Sequence, residues 1–387
     1  MSKLQQLALF TLTAAAVSSA QAADLKIGMV LPLSGPFAAH GAQIENSARL
    51  YIKEHGDTVA GRKIVLIIKD DTGIAPTISK RQAQNLLIQD KVDLLAGFGM
   101  TPSAFAVAPL ATETQTPMIV MNAATSSITT KSPYIVRTSM TLPQVTAPIA
   151  TWALANGIKT VYSIAADYGP GHDAETQFKE TFTQGGGKII GASRTPVNNP
   201  DFAPFLQKAK DSKPDAVFLF VPAGEQGVAF VKGFRERGLD KAGIQLIATG
   251  DMTDENVLAA MGDPALGVIT SFHYSEAHDS PENKAFVAAY TQAYPGDRPN
   301  FWTVGGYDGM HLIYEALKKT HGDTNGDAFM AAVKGMSWMS PRGPVSIDPA
   351  TRDIIQNVYI RKVERVGDLL QNVEFDKVAD VKDPGKK

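Results

Sequence analysis

The residues able to do chemistry are few, and their spacing decides against most of what they could do. "GFGMTP" at Gly97–Pro102 opens like a dinucleotide-binding loop, but the third glycine position falls on Pro102, where close packing of helix on strand needs glycine. "DDTG" at Asp70–Gly73 has the form of an aspartic-protease loop. That chemistry needs a second carboxylate from a duplicate loop, and no second Asp-Thr-Gly or Asp-Ser-Gly occurs, so a turn after a strand is expected. "FHYSEAHD" at Phe272–Asp279 offers His273, Glu276, His278 and Asp279, but the histidines are not spaced as in HExxH, and a polar crossover segment is the better reading. "GHDAE" at Gly171–Glu175 reads as the first turn of a helix, where acids favour the macrodipole. There is no GxSxG elbow and no Walker loop, and a chain with no cysteine has no thiol chemistry. No catalytic residue, metal or cofactor is nominated, and an enzyme is not expected.

A different pattern recurs. Three apolar runs end in small or hydroxyl residues: Leu31 leads into Pro32-Leu33-Ser34-Gly35-Pro36, Ala96-Gly97 into Thr101-Pro102-Ser103, and Met121 into Ala123-Ala124-Thr125-Ser126-Ser127. In an open α/β sheet, ligands bind beyond the carboxyl ends of the strands. Helix N-termini there present free N–H groups to an anion. Thr101 and Thr125 can add hydroxyl donors, and Ala123 and Ala124 let a ligand approach the backbone. Such a strand end suits holding a carboxylate without altering it. Taken singly, Thr101, Ser103 and Thr125 can also serve as helix caps.

The elements that must position these residues alternate along the chain. Leu25–Leu31, Lys63–Ile68, Val92–Ala96 and Met118–Met121 read as strands, with helices over 37–54, 74–89 and 103–113 between them. The pattern restarts after Leu142: strands at 161–165, 188–191, 216–221 and 244–248 alternate with helices near 144–156, 171–182, 202–210 and 225–237. A strand at 267–272, helices at 281–294 and 301–319 and short strands such as 356–363 complete the chain, and its charged tail "DKVADVKDPGKK" is expected to fray. Short apolar runs without strict alternation suit parallel strands buried on both faces, so the fold class is α/β with two doubly wound lobes.

With 387 residues the chain is long enough for two or three domains. A formal charge of −2 implies no polybasic face for nucleic acid or an anionic membrane. Residues 1–23 read as a secretory signal: Lys3 is the positive start, Leu7–Val17 the apolar stretch, and Ser18–Ala22 the small-residue site cleaved after Ala22 or Ala23. The apolar stretch is shorter than the ~20 residues of a membrane span. Without cysteine there is neither disulfide nor lipoprotein anchor, and release into a bacterial periplasm is expected.

"KIGMVLPLSGPFAAHG", "VDLLAGFGMTPSAFAVAPLATETQTPMIVMNAAT", "IKTVYSIAADYGPG" and "RPNFWTVGGYDGMHLIYEALKK" resemble, in order, the branched-chain amino-acid class of periplasmic solute-binding proteins of ABC importers. The resemblance covers Asp24 to about Val363. It implies a type I fold of two Rossmann-like lobes joined by three crossings, near Leu142, Thr270 and Ser346: lobe one is 24–141 plus 271–345, and lobe two is 142–270 plus 346–387. It implies a monomer that closes on one small carboxylate and docks on a membrane permease. Residue by residue, it places Met100, Thr101, Ala123, Ala124 and Thr125 on the carboxylate, Tyr168 and Asp251 opposite them from lobe two, and Trp302 as an aromatic wall.

The departures concern the rest of the ligand. His40, with Phe37 near it, stands where the family commonly has tyrosine, and Pro222-Ala223 stands where it has a lobe-two aromatic. Losing that aromatic is expected to enlarge the cavity enough to admit a ring, as in members of the class that take hydroxybenzoates or phenylpropanoids. Asp251 favours an ammonium instead, unless it only caps the following helix. An aromatic acid and an apolar amino acid therefore stay open as ligands, and an exported enzyme or a sensor domain using the same cleft stand as alternative functions.

Overall fold

The structure, a computed structural model, describes residues 23–386. The expected signal segment, apart from Ala23, lies outside the described residues. The first sheet contains β1 (Leu25–Leu31), β2 (Thr58–Val59), β3 (Arg62–Asp70), β4 (Leu94–Gly97), β5 (Met118–Val120) and β6 (Ile135–Arg137). Its order is β2-β3-β1-β4-β5-β6, parallel except for the β2–β3 pair. The helices α1 (Ala38–His55), α2 (Pro76–Asn85) and α3 (Thr101–Thr114) connect these strands. Because helices cover both faces, β1, β4 and β5 are buried almost throughout, which explains their unbroken apolar runs.

After α4 (Leu142–Ala155) the second sheet begins, with β7 (Thr160–Ala166), β8 (Lys188–Thr195), β9 (Ala216–Phe220), β10 (Gln245–Thr249) and β11 (Ile269–Phe272). The helices α5 (Gly169–Gln184), α6 (Ala203–Ser212), α7 (Glu225–Glu236) and α8 (Leu258–Met261) alternate with them. The chain then returns to the first sheet as α9 (Pro281–Ala293), α10 (Phe301–Lys319) and α11 (Gly326–Val333). Here Tyr51 of α1 meets Tyr307 and Tyr314 of α10 edge-on. The last strands, β12 (Ser337–Ser340), β13 (Gly343–Ile347), β14 (Ile354–Val366) and β15 (Leu369–Val381), join the second sheet in antiparallel pairing.

Sheet membership shifts two crossings from the positions expected near Thr270 and Ser346. All of β11 stays in the second sheet, so that crossing follows Phe272, and β12 already belongs to the second sheet, so the last crossing precedes Ser337. The chain between is pinned by buried charge: Arg342 donates to the carbonyls of Ser139 and Thr138 and pairs with Asp308 at 2.8 Å. The charged tail does not fray. Its first half, residues 376–381, is the end of the 13-residue strand β15 on β14, and its charged side chains are exposed. Lys386 then reaches Asp353 and Thr129.

Candidate functional site

At each sheet the strand order reverses beside the first strand of the series, β1 in one and β7 in the other. Connections leave such a point in opposite directions and open a crevice at the strand ends. The two crevices face each other. β1, β4 and β5 end in register, with Val30 beside Gly97 and Gly97 beside Val120. The turn after β4 forces Phe98 into the left-handed region at φ 58°, a strained conformation for a bulky residue. This aims Gly99, Met100 and Thr101 into the cleft, where α3 starts with Pro102 in its first turn.

The loop after β5 is held from behind. Arg137, fully buried, donates to the carbonyls of Ala123 and Thr125 at 2.9 Å each and of Ser126 at 3.1 Å, and pairs with Asp353 at 2.8 Å. Burial lowers its pKa to about 10, so it stays charged at neutral pH. With its carbonyls turned back to Arg137, the loop presents its other side to the cleft. Among the described residues, the amides of Thr101 and Ala124 donate to no protein acceptor.

Nine of the residues singled out from the sequence line one inner cavity between the lobes: Phe37, Met100, Thr101, Ala123, Ala124, Tyr168, Pro222, Asp251 and Trp302. Thr125 does not. Its hydroxyl accepts from Thr101 Oγ1 at 3.1 Å, so it orients Thr101 from behind. His40 does not line the cavity either; it stacks on Trp302 with ring centroids 4.7 Å apart, on the side away from the cavity. None of the three suggested caps is one. Met100 and Thr125 occupy the cap positions without side-chain cap bonds, and Ser103 donates to Asp71 at 2.6 Å.

Sequence reasoning missed Phe220. No lobe-two aromatic beyond Tyr168 was expected, yet Phe220 lines the cavity, with its ring stacked against Tyr168 at 6.1 Å. The signal was the alternation in β9: Phe218 and Phe220 share a face, and Phe220 is the member at the cleft end. The cavity these residues line is small in the closed conformation. It is about 30 Å³, room for about one water, so a ring enters only when the lobes part. Asn122 was also missed; its Nδ2 donates to Gly99 O at 2.8 Å, which leaves Oδ1 unpartnered.

Asp251 sits in the short turn after β10 and caps no helix, since Thr249 holds the cap position. Its Oδ2 is buried without a hydrogen-bond partner, and burial raises its pKa to about 7. Tyr168 is raised as well, first by burial and then by the charge of Asp251. Trp302 Nε1 is likewise buried and unpartnered. The candidate metal ligands of 272–279 are dispersed instead into separate roles: His278 bonds Glu374 at 2.7 Å, Glu276 pairs with Arg298, and His273 is buried between aromatic rings.

The lobes meet around the cavity. Asp173 at the start of α5 accepts from Ser126 N at 2.8 Å. On the far side Asn300 donates to Asp254 at 2.7 Å, and Arg298 donates to Glu255 O at 2.9 Å and exchanges two further bonds with Asn256. These bonds cross the cleft, and the molecule is in a closed conformation.

Two doubly wound lobes, three crossings and a closed cleft of aromatic walls with free amides define a two-lobed small-molecule receptor. A family described as "Periplasmic binding protein" matches residues 24–368, and the chain belongs to that family. Among its relatives, "Leu/Ile/Val-binding protein homolog 6" of Brucella melitensis biotype 1 is 46% identical over 386 residues, covering 99% of this chain and 98% of its own. A solute-binding protein of an ABC transporter from Rhodopseudomonas palustris BisB5, solved with 3,4-dihydroxybenzoic acid, is 58% identical with a TM-score of 0.91, covering 94% of this chain and 99% of its own. Another from Rhodopseudomonas palustris HaA2, solved with p-hydroxybenzoic acid, is 45% identical with a TM-score of 0.91 and the same coverage. No helix among the described residues is long and apolar enough to cross a membrane.

Proposed function

We propose that the protein is the substrate-binding component of an ABC importer and captures a ring-hydroxylated aromatic carboxylate. The observation that carries the ligand class is the unpartnered, buried Oδ2 of Asp251 in a cavity with four aromatic residues, Phe37, Tyr168, Phe220 and Trp302, in its lining. An ammonium needs an ionised partner, whereas a carboxyl with its pKa near 7 suits a phenolic hydroxyl, which it can accept from or donate to. The ligands of the two Rhodopseudomonas palustris relatives support the same reading.

In this reading Thr101 and the free amides of Thr101 and Ala124 hold the carboxylate, positioned by Thr125 and Arg137. Trp302, Tyr168, Phe220, Met100 and Phe37 flank the ring, Pro222 and Asp251 meet its far end, and His40 backs Trp302. The lobes divide near Thr141, after Phe272 and before Ser337. The chain acts in the periplasm after loss of its signal segment, as a monomer, without cofactor or chemistry of its own, and the closed form docks on a membrane permease. Closure follows from differential affinity: the ligand bonds to both lobes only when they are together.

The test is calorimetry on refolded, ligand-free protein with 4-hydroxybenzoate, 3,4-dihydroxybenzoate, benzoate and leucine. The hydroxylated acids are expected to bind tightest, and Asp251→Ala to weaken them about tenfold or more while leaving benzoate little changed, since a hydrogen bond to a charged group is worth ~1.5–3 kcal/mol. Leucine binding more tightly than every aromatic acid would overturn the reading.

A further inference from the structure

A second, larger chamber of about 610 Å³ adjoins the inner cavity at the mouth of the cleft. The two share Phe37 and Ala223, so the chamber lies directly beside the inner cavity, with those two residues between them. Both lobes build it: His40, Gln43 and Asp297 from one, Phe202, Gln226 and Val257 from the other. It opens at the loop where an aromatic is replaced by Pro222-Ala223-Gly224. Gly224 has φ 112° and ψ −147°, a conformation suited to glycine alone, and a Cβ there would stand 3.6 Å from His40 Cε1.

We infer that this outer chamber receives the distal tail of an elongated aromatic carboxylate whose carboxylate end is held in the inner cavity. The inference rests on the proposed aromatic-acid site. No lysine or arginine lines the chamber, whereas Glu225 and Asp297 do, so a second carboxylate is disfavoured and the tail is uncharged. Apolar walls from Phe37, Val197, Phe202 and Val257 suit an alkyl or aryl chain. His40, 7% exposed, is the built element of the partition, with one face on Trp302 and its edge toward the chamber.

The experiment is a length series of 4-alkoxybenzoates, methoxy to butoxy, titrated calorimetrically into the ligand-free protein beside benzoate. Affinity is expected to rise about threefold per added methylene, as burial in an apolar chamber requires, with one ligand per protein. Ala229→Trp, at an exposed position of α7 that faces the chamber, should cancel that rise, by about tenfold or more at butoxy, and leave benzoate unchanged. Flat or falling affinity along the series in a protein that binds benzoate overturns the inference and spares the aromatic-acid reading. Two butoxybenzoates bound per protein also overturn it, because the chamber is then a separate site. If the variant does not fold, the slope of the wild-type series still decides. Failure of benzoate and all its derivatives to bind refutes the underlying reading itself.

Discussion

Replacing Asp251 with asparagine tests the electrostatics of the cleft without changing its shape. Burial raises the Asp251 pKa from 3.8 to about 7. In the unfolded chain it returns to the ordinary carboxylate range, so the folded protein holds the proton more tightly. The stability conferred by the protonated form is fully present below pH ~4 and is lost as pH rises through about 7. At about 1.4 kcal/mol per pH unit, the rise corresponds to about 4 kcal/mol at its limit. Asp251→Asn carries no charge to bury, so the ligand-free variant should match the wild type near pH 4 and exceed it in stability progressively toward pH 8, by up to about 4 kcal/mol. Urea unfolding of both proteins across that range measures the difference, and taking the difference removes the other titrating groups. Adding 4-hydroxybenzoate should narrow the gap at pH 8, because the ligand hydroxyl then partners the carboxylate. A difference that is constant with pH, or that favours the wild type at pH 8, would refute the claim that burial holds the Asp251 carboxyl above the ordinary carboxylate range.

Other perturbations address the scaffold. Arg137→Met leaves Asp353 buried without its main partner and frees three carbonyls, and should cost about 3–5 kcal/mol in urea unfolding while weakening carboxylate binding. Thr101→Ala should weaken the carboxylate about tenfold or more by calorimetry, whereas Thr125→Ala alone should cost less, because Thr125 acts only through the Thr101 hydroxyl. Gly171→Ala should be severely destabilised, as a Cβ there would meet the Ala166 carbonyl at 1.8 Å, and thermal unfolding reads this directly. Arg298→Met removes the side-chain bonds to the carbonyls of Glu255 and Leu370 across the cleft, and small-angle scattering of the ligand-free protein should show a larger radius of gyration than wild type.

Much of the site was legible because strand ends are legible. An apolar run that stops at Ala123-Ala124-Thr125, or at Met100-Thr101, says both where the sheet ends and that small residues and hydroxyls follow. The pleat then puts those residues at the crevice whatever the rest of the chain does. Phe220 was readable in principle from the two-residue period of β9, but its burial hid it among core phenylalanines. The tail misled because its charge says nothing of its backbone pairing: Asp376, Lys377 and Val381 lie opposite Ile360, Tyr359 and Gln356 of β14, 16 to 25 residues back in the hairpin. Arg137 carried no signal at all, since a single arginine in an apolar strand says nothing about three carbonyls drawn from a loop ten to fourteen residues upstream.

The sequence by itself determined the alternation of elements, the restart after Leu142 and the small, hydroxyl-bearing character of the loops at the strand ends, because each depends on residues close together in the chain. Only the tertiary structure decided what stands opposite those loops. His40 and Thr125 lie one layer behind the cavity, Phe220 joins its lining, and Ala223 borders both it and the outer chamber. The ionisation of Asp251 belongs to the same category. Its carboxyl is ordinary in sequence and shifted in the fold, because the loss of water and the absence of a partner are properties of the closed cleft and not of any segment of the chain.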